Sequence, residues 1–385
     1  MAEPDWVQHA LWWHVYALGA AGAVPGPPTH AEPHGLDRLE PWLDHVISLG
    51  LSGIALGPVF RSETHGYDTL DHRVVDERLG GDAAFDRLVA AAKQRGLRIA
   101  LDGVFNHVAA RHERQDWLLR DEHGQPVPFE GHGGLLTLDH GRQDVRAEVT
   151  DIMRTWLDRG ADAWRLDAAY ATPTDFWAAV LPEVRRTHPE AWFFGEVIHG
   201  DHADVVQAST MDSVTQYELW KAIWSSLVDR NPHELAWTLG RHAELVPSFV
   251  PVTFVGNHDV TRLASRLDDP DLVALAVVAL LTLPGTPLVY AGDELGATGV
   301  KEERFGGDDA VRPELPPTPG AGDEVIRGTY HHLISLRRQH PWLHRAHLEV
   351  DEVTRERLVY TVRSDTSALR VALDLTAHSW DVDTV

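Results

Sequence analysis

The chain has 385 residues, no cysteine, and 34 basic against 58 acidic side chains, which gives a formal net charge of −24. The negative charge argues against nucleic acid and anionic membranes as partners, because both repel an acidic surface. The lack of cysteine excludes disulfides, thiolate catalysis and cysteine-bound zinc. A chain of this length can bury one large core and carry small additions.

Short apolar strands alternate with amphipathic helices from the N-terminus onward. The run from Ala10 to Val24 predicts a first strand and loop rather than a signal peptide, because acidic residues precede it and it contains His14. A helix beginning at an Asp82 N-cap follows the second strand. The polar interval from Phe105 to about Asp139 has no long periodic pattern and predicts an excursion. The other elements predicted here are strands at 52–59 and 97–104 and helices at 36–50 and 82–96.

The alternation continues to residue 347, and Pro182 predicts a kink or break in one helix. Eight strands, each followed by a helix, predict an α/β fold, the closed (β/α)8 TIM barrel; an open doubly wound sheet is the alternative. We assign 1–104 and 141–347 to the barrel, 105–140 to a short inserted domain after strand three, and 348–385 to a small C-terminal β domain. The remaining strands are predicted at 161–166, 191–197, 213–217, 251–259 and 286–292, and the helices at 143–160, 174–186, 218–230, 233–245, 271–281 and 324–340.

The stretch GADAWRLDAAY, from Gly160 to Tyr170, carries two charged residues at the end of an apolar strand. Arg165 and Asp167 are two residues apart and therefore point to the same side of the strand. Burying them is costly unless they are paired or functional. We expect Arg165 to keep the carboxyl group of Asp167 ionised, which suits a nucleophile; a structural ion pair is the alternative.

Polar residues also follow other predicted strands, and the active groups of a (β/α)8 barrel lie at these C-terminal ends. Three acids from three strands would meet one arginine and two histidines at the mouth, and a structural ion-pair network rarely needs that set. The residues are Asp102, Asn106 and His107 after strand three, Arg165 and Asp167 after strand four, Glu196 after strand five, Asn257, His258 and Asp259 after strand seven, and His65, Tyr67 and Asp68 in the second βα loop.

Four motifs, DGVFNH, ADAWRLDAA, GEV and VGNHD, follow one another along the chain. In order and approximate spacing they resemble the four motifs of the α-amylase family, glycoside hydrolase family 13. SGIALGPV, LLTLD and GTPLVYAGDELG are similar to further motifs of that family. The resemblance extends from about strand one to Gly296, roughly three-quarters of the chain.

The resemblance implies roles for these residues. Asp167 matches the nucleophile, Glu196 the general acid/base and Asp259 the acid that stabilises the transition state. A retaining glycosidase places its two reacting carboxyl groups ~5–5.5 Å apart. The acid must be protonated, which repulsion among nearby carboxylates favours. The implied substrate-binding residues are Tyr67 as an aromatic platform, His107 and His258 as donors to sugar hydroxyls, and Asp68 and Arg165 beside them.

The sequence also departs from the family. Many α-amylases carry Lys-His where this chain has Tyr170 and Ala171, and that histidine gives its carbonyl to a calcium site. We therefore predict no cofactor; if calcium does bind, Asn106 and Asp139 are the implied side-chain ligands. Separately, Asp308 and Arg312 match a pair with which relatives bind the next sugar; a solvated loop pair is the alternative.

The resemblance implies a retaining hydrolase of α-1,4-linked gluco-oligosaccharides. Its partner would be an α-glucan or malto-oligosaccharide, with no nucleic acid and no membrane, and the lack of a recognisable signal peptide predicts a cytoplasmic location. One alternative is a transglycosidase of the same family that transfers glucosyl or maltosyl units. A non-catalytic relative is another, and the intact three-acid set speaks against it. Chain length, linkage, endo or exo action and oligomeric state do not follow from the sequence.

Overall fold

The computed structural model describes residues 3–23, 34–304 and 306–385; Val24, the end of the predicted first strand and loop, lies outside them. No helix within these ranges is long and apolar enough to cross a bilayer. The strands, in chain order, are β1 (Trp12–Val15), β2 (Gly53–Leu56), β3 (Phe60–Ser62), β4 (Thr69–Val75), β5 (Arg98–Gly103), β6 (His107–Ala109), β7 (Pro128–Phe129), β8 (His132–Thr137), β9 (Ala163–Leu166), β10 (Trp192–Gly195), β11 (Ser213–Val214), β12 (Val252–Phe254), β13 (Thr286–Tyr290), β14 (His347–Val353), β15 (Arg357–Arg363), β16 (Ala368–Asp374) and β17 (Ser379–Thr384).

The helices cover the outside of the sheet. Helix α4 shows why they form, because its apolar residues recur every three or four positions and give one buried face. In chain order the helices are α1 (Ala17–Ala20), α2 (Glu40–Leu49), α3 (Gly81–Gln94), α4 (Gln143–Asp158), α5 (Thr174–Arg185), α6 (His202–Ser209), α7 (Tyr217–Asp229), α8 (His233–Leu245), α9 (Leu263–Leu267), α10 (Pro270–Thr282) and α11 (Glu324–Gln339).

Eight parallel strands form the barrel, in the order β11-β10-β9-β5-β2-β1-β13-β12. The two ends of this sheet meet where Thr215 bridges to Val252, and the N–H of Gln216 donates to the carbonyl of Val252 at 2.9 Å. The predicted (β/α)8 barrel is therefore confirmed, and the open sheet is excluded. Inside the barrel, the rings of Trp12 and Trp192 stack 6.0 Å apart. They belong to a separate cluster of buried apolar residues from the barrel strands.

The structure differs from the sequence analysis at four helices. Helix α3 has Gly80 as its N-cap, and Asp82 instead accepts from the N–H of Val75 at 2.8 Å. Helix α5 continues through Pro182 to Arg185, so the predicted break is absent; residues buried on both sides of the proline hold the helix in place. The sequence analysis also missed α6 and α9, which are too short to give a clear helical period.

The excursion after strand three contains a three-stranded antiparallel sheet, in the order β6-β8-β7. Such short strands need no long periodic pattern, which is why none is visible in the sequence. Strand β6 begins at His107, paired with Thr137. The hydroxyl of Tyr170, in the loop after β9, donates to Glu130 at 2.9 Å, so this segment borders the C-terminal mouth of the barrel.

The C-terminal strands β14 to β17 form an antiparallel sheet in sequence order. This sheet packs on the helical shell, mainly on α8 and α10. At α10 the hydroxyl groups of Thr282 and Tyr360 lie 2.6 Å apart. These contacts are with helices on the side of the barrel rather than with the loops at its mouth.

Candidate active site

Asp102 and Arg165 are register partners on the neighbouring barrel strands β5 and β9. The Nη1 atom of Arg165 donates to both carboxylate oxygens of Asp102, at 2.6 and 2.7 Å. The same atom lies 3.1 Å from Oδ1 of Asp167, and Nη2 lies 2.7 Å from Oε1 of Glu196. One guanidinium group therefore contacts three carboxyl groups, including both that the sequence predicted to react.

The parallel register brings Asp167 and Glu196 side by side, because each immediately follows one of two paired residues, Leu166 and Gly195. The backbone turns sharply at Ala168, whose φ of 46° costs roughly 1–2 kcal/mol for a residue with a Cβ. This turn lets the N–H of Ala168 donate to Oε2 of Glu196 at 3.2 Å. Both carboxyl groups that the sequence predicted to react are thus positioned by the backbone geometry of adjacent strand ends.

Two opposing effects act on the ionisation of Asp167. Burial raises the pKa of Asp167 well above its ordinary range, and the attraction of Arg165 does not overcome this effect. Burial also raises the pKa of Asp102, to about 6. Arg165 lowers the pKa of Asp167, the direction that the sequence suggested. Burial and the two neighbouring carboxyl groups raise it and outweigh the effect of the guanidinium.

Tyr67 and His258 connect this cluster to the third acid. Their rings stack 5.4 Å apart and nearly parallel, and the Tyr67 hydroxyl contacts Nε2 of His258. That hydroxyl also lies 3.1 Å from Oδ2 of Asp102, while Nε2 of His258 lies 3.1 Å from Oδ2 of Asp259. Burial lowers the pKa of His258 well below its ordinary value, so its imidazole is neutral at neutral pH.

Arg312 is buried directly against the predicted third acid. Its Nη2 atom donates to Oδ1 of Asp259 at 2.7 Å, and its Nε atom donates to the carbonyl of His258 at 2.9 Å. Asp308 also pairs with Arg312, at 3.1 Å, but one-third of its side chain is exposed and it lies 3.4 Å from Lys301. The two members of the predicted pair therefore differ: Arg312 holds the site, and Asp308 lies at its edge.

Asp68, in the loop before β4, and His107, the first residue of β6, border the cluster. Both oxygens of Asp68 accept hydrogen bonds within its own loop, from Thr64 at 2.6 Å and from the N–H of His65 at 3.1 Å. Asp68 thus holds the loop that carries Tyr67, rather than presenting a free carboxylate. The ring of His107 stacks on Phe129 of the inserted segment at 4.4 Å, and among the described residues its buried Nε2 has no hydrogen-bond partner.

A comparison with known families agrees with this geometry. The Alpha-amylase family model, which describes the alpha amylase catalytic domain, matches residues 36–125 and 114–327. The chain belongs to the α-amylase family. The matched residues include Asp102 on β5, the acids that directly follow β9 and β10, and the loop that carries Asp259.

Among individual relatives, a cyclomaltodextrinase from Bacillus sp is 26% identical over 304 residues, covering 71% of this chain and 52% of the relative. A maltogenic alpha-amylase from Bacillus acidopullulyticus is 25% identical over 302 residues, with coverages of 71% and 50%. The chain thus spans about half the length of these curated relatives. The ligand-free cyclic alpha-maltosyl-(1→6)-maltose hydrolase from Arthrobacter globiformis matches with a TM-score of 0.85 at 23% identity, covering 100% of this chain and 97% of that one; this match shows the fold.

The residues that the α-amylase resemblance implied for calcium form a poor donor set. The amide of Asn106 already contacts Nδ1 of His107 and the hydroxyl of Thr172, and Asp139 accepts from the N–H of Gly141. The described ranges contain no cluster of three or more histidine, cysteine or acidic side chains that could hold a metal ion. Calcium prefers six to eight oxygen ligands, and one carboxylate with one occupied amide falls short of that number.

Three residues that contact this candidate site escaped the sequence analysis. The hydroxyl of Tyr217 donates to Oε1 of Glu196 at 3.0 Å, and the rings of His14 and Tyr16 lie 5.0 and 5.8 Å from that of His258. His14 and Tyr16 lie at the end of β1, where the rule about strand ends would have found them. Tyr217 follows the two-residue strand β11, whose end is too weakly marked in the sequence.

Proposed function

We propose that this member of the α-amylase family is a retaining hydrolase that cleaves α-1,4-linked gluco-oligosaccharides. The observation that carries the proposal is the shared contact of Arg165 with Asp167 and Glu196, whose carboxyl groups lie at adjacent strand ends. Double displacement needs two such groups facing one anomeric carbon. The third acid, Asp259, is joined to the same cluster through His258 and Tyr67.

In the first step, an ionised oxygen of Asp167 forms a bond to the anomeric carbon as the glycosidic C–O bond breaks. The leaving oxygen takes a proton from Glu196. Both oxygens of Glu196 already have partners in this conformation: Ala168 donates to Oε2, and Tyr217 and Arg165 contact Oε1. The substrate's glycosidic oxygen must therefore displace one of these contacts. Such rearrangement is expected, since catalytic hydrogen bonds often form only in the substrate complex.

In the second step, Glu196 takes a proton from water and the water oxygen displaces Asp167 from the sugar. Glu196 is then protonated again, as at the start, and no proton or electron is left over. Asp259 carries negative charge next to the developing oxocarbenium ion, where Arg312 fixes its orientation. Nε2 of His258 already contacts Tyr67 and Asp259, so a sugar hydroxyl that bonds to this nitrogen displaces one of these contacts.

The names of the relatives suggest which glucans to offer the enzyme. Cyclomaltodextrinase and maltogenic amylase point to cyclic and linear α-1,4 glucans, and the Arthrobacter enzyme to a cyclic maltosyl substrate with α-1,6 bonds. A neutral glucan suits an enzyme with a net charge of −24, since it is neither attracted nor repelled. We propose the linear and cyclic α-1,4 glucans as substrates, and the cytoplasmic location stays a prediction.

Transfer to a sugar acceptor is the second candidate, and Tyr170 favours it. Its backbone N–H donates to the carbonyl of Glu196 at 3.2 Å, so Tyr170 lies on the side where the leaving group departs. Its hydroxyl is held by Glu130, and its half-buried ring lies 6.0 Å from the imidazole of His199. An aromatic ring fixed in this way could hold an acceptor sugar long enough to compete with water.

Product analysis with maltotriose tests both candidates. Hydrolysis yields only glucose and maltose, whereas transfer also yields products longer than three units. Asp167→Asn serves as the control, because it keeps the shape of the site and removes the nucleophile. Longer products as the main outcome would favour the transferase, and the absence of any product at any enzyme concentration would show a non-catalytic protein.

A further inference from the structure

Two polar residues follow the two strands at which the barrel closes. Tyr217 is the first residue of α7 and comes directly after Gln216, which bonds to the carbonyl of Val252 on β12. Asn257 lies three residues beyond the end of β12. The ring of Tyr217 packs edge-to-face on Phe254 of β12, with the ring centres 4.9 Å apart. Barrel closure therefore brings the hydroxyl of Tyr217 within 2.9 Å of the side-chain amide of Asn257.

The hydrogen bonds of this pair have one possible direction. The N–H of Asp259 can only donate, so the atom of Asn257 that faces it at 2.9 Å is the amide oxygen. The amide nitrogen of Asn257 then faces Tyr217 and donates to its hydroxyl oxygen. The single proton of that hydroxyl is left for Oε1 of Glu196, at 3.0 Å. The chain of hydrogen bonds thus runs from the loop of the third acid to the proposed general acid.

Oε1 of Glu196 accepts from two groups that keep their protons. Burial, and then the negative charge of Glu196, raise the pKa of Tyr217 well above its ordinary value, so its hydroxyl stays protonated. The second donor is Nη2 of Arg165, at 2.7 Å, and a guanidinium has no acceptor atom. Both donors therefore remain in place whichever form Glu196 takes.

The other oxygen of Glu196 has a weaker partner. Oε2 accepts from the N–H of Ala168 at 3.2 Å, which is longer than either contact at Oε1. A carboxylic proton on Oε1 would compete with two donors for the lone pairs of that atom. The proton of Glu196 therefore lies on Oε2, and the leaving oxygen of the substrate must approach that atom.

We propose that Tyr217, oriented by Asn257, is a positioning residue that keeps the transferable proton of Glu196 on Oε2 and stabilises the carboxylate left behind. The role of Glu196 as the acid rests on the proposed function; the placement of its proton rests on the hydrogen bonds alone. As the glycosidic C–O bond breaks, the proton moves from Oε2 to the leaving oxygen. The charge that appears on Glu196 strengthens the hydrogen bond from Tyr217, which keeps its own proton. In the second step Glu196 regains a proton from water.

The pH profile of Tyr217→Phe tests this role in turnover. A hydrogen bond donated to a carboxylate favours the ionised form, so its loss lets Glu196 hold its proton to higher pH. We expect the basic limb of kcat/KM against pH to move upward by about one unit, and kcat on maltotriose to fall by about tenfold. An aryl α-maltoside with a good leaving group needs little protonation, and its kcat should fall by less than about threefold.

Tyr360→Phe is the matched control. It removes another buried tyrosine hydroxyl, which lies 2.6 Å from that of Thr282 on the side of the barrel, so the basic limb should stay in place. Asn257→Ala removes the donor that orients Tyr217, and the effect of Tyr217→Phe should be smaller in that background. Melting curves establish that each variant is folded. The charged or titratable groups that face Glu196 or Tyr217 are unchanged in all these variants; they are Asp102, Arg165, Asp167, Tyr170 and Asp259.

Direct titration of Glu196 gives a readout that needs no turnover. In protein labelled with ¹³C at the glutamate carboxyl groups, the resonance that is missing from Glu196→Gln identifies Glu196. Its titration midpoint should move upward by about one unit in Tyr217→Phe and should not move in Tyr360→Phe.

The two measurements separate this proposal from the proposed function. A midpoint and a basic limb that stay in place in Tyr217→Phe, while the wild type turns over maltotriose, overturn the role of Tyr217 and leave the hydrolase standing. A shifted midpoint in a protein that cleaves neither maltotriose nor the aryl maltoside supports the placement of the proton and overturns the hydrolase. Equal losses of kcat on both substrates, or an equal shift in Tyr360→Phe, would show a merely structural role and overturn the proposal.

Discussion

Arg165 donates through a single nitrogen to both carboxylate oxygens of Asp102, at 2.6 and 2.7 Å. This contact is tighter than the 3.1 Å between the same nitrogen and the predicted nucleophile, Asp167. Asp102 therefore takes the largest share of the arginine's charge. The consequence is that the reactivity of Asp167 depends on a carboxylate that itself takes no part in the reaction.

Asp102→Asn should move the acidic limb of the pH–activity profile to lower pH. Asp167 reacts only when ionised, and activity therefore falls as the pH drops through its pKa. Burial raises the pKa of Asp167, and the negative charge of Asp102 raises it further, so removing that charge lowers it. The measurement is kcat/KM against pH, which reports the free enzyme.

Asp212→Asn is the matched control for this shift. Asp212 is another buried aspartate, paired with Arg185 at 2.9 Å and not part of the catalytic cluster. The acidic limb should stay in place in that variant. A limb that moves equally in both variants, or moves upward in Asp102→Asn, would contradict the assignment.

The free energy of unfolding should also depend on the ionisation of Asp102. The pKa of Asp102 is about 6 in the folded chain and roughly 3.9 when unfolded, so between these values the folded state binds more protons. Its contribution to the free energy of unfolding therefore decreases as the pH rises from about 4 to 6, by on the order of 3 kcal/mol. Urea unfolding across this range should show a shallower decrease for Asp102→Asn. An unchanged slope would contradict this.

Asp167→Asn and Glu196→Gln should fail in different ways. Asp167→Asn should abolish turnover, because an amide cannot form the covalent intermediate. Glu196→Gln should lower kcat by roughly 10²–10⁴-fold on maltotriose and much less on aryl glycosides with good leaving groups, which need little protonation. Steady-state kinetics on both substrate types decide this. An equal decrease in kcat on maltotriose and on aryl glycosides would show that Glu196 is not the general acid.

Arg312→Ala should cost far more activity than Asp308→Ala. Arg312 holds both Asp259 and the backbone of His258, and losing a charged hydrogen bond there should lower kcat/KM by about 10- to 100-fold. Asp308 is partly exposed, and such ion pairs contribute little, so we expect a change of less than about fivefold. Kinetics on a maltoside separate the two variants. Similar losses would show that the pair acts as a unit.

Activity should not depend on calcium. Asn106 and Asp139 supply few free oxygens, whereas calcium usually takes six to eight. We expect extensive chelator treatment to leave both kcat and the melting temperature unchanged. A melting temperature that falls by many degrees and recovers with added calcium, but not with magnesium, would reveal a structural ion and show that this prediction was wrong.

The sequence was most informative where the barrel pattern and the polar residues coincide. Arg165, Asp167 and Glu196 each stand at or just after a strand end, so their convergence followed from the fold alone. Tyr217 was missed because β11 is only two residues long and gives no periodic signal. The extent of α5 followed from the sequence, but the absence of a break at Pro182 did not, since packing on both sides outweighs the local cost of a proline.

The sequence by itself determined the order of the strands, the family and the set of acids, because these depend on residue types and their spacing. Only the tertiary structure decided how those acids share charge. The register that places Asp102 beside Arg165 involves residues 63 positions apart, and their contact distances are invisible in a linear pattern. Burial also cannot be read from a linear pattern. The pKa of Asp167 rises because the closed barrel excludes water from it, and only the folded chain sets how far a carboxyl group lies from solvent.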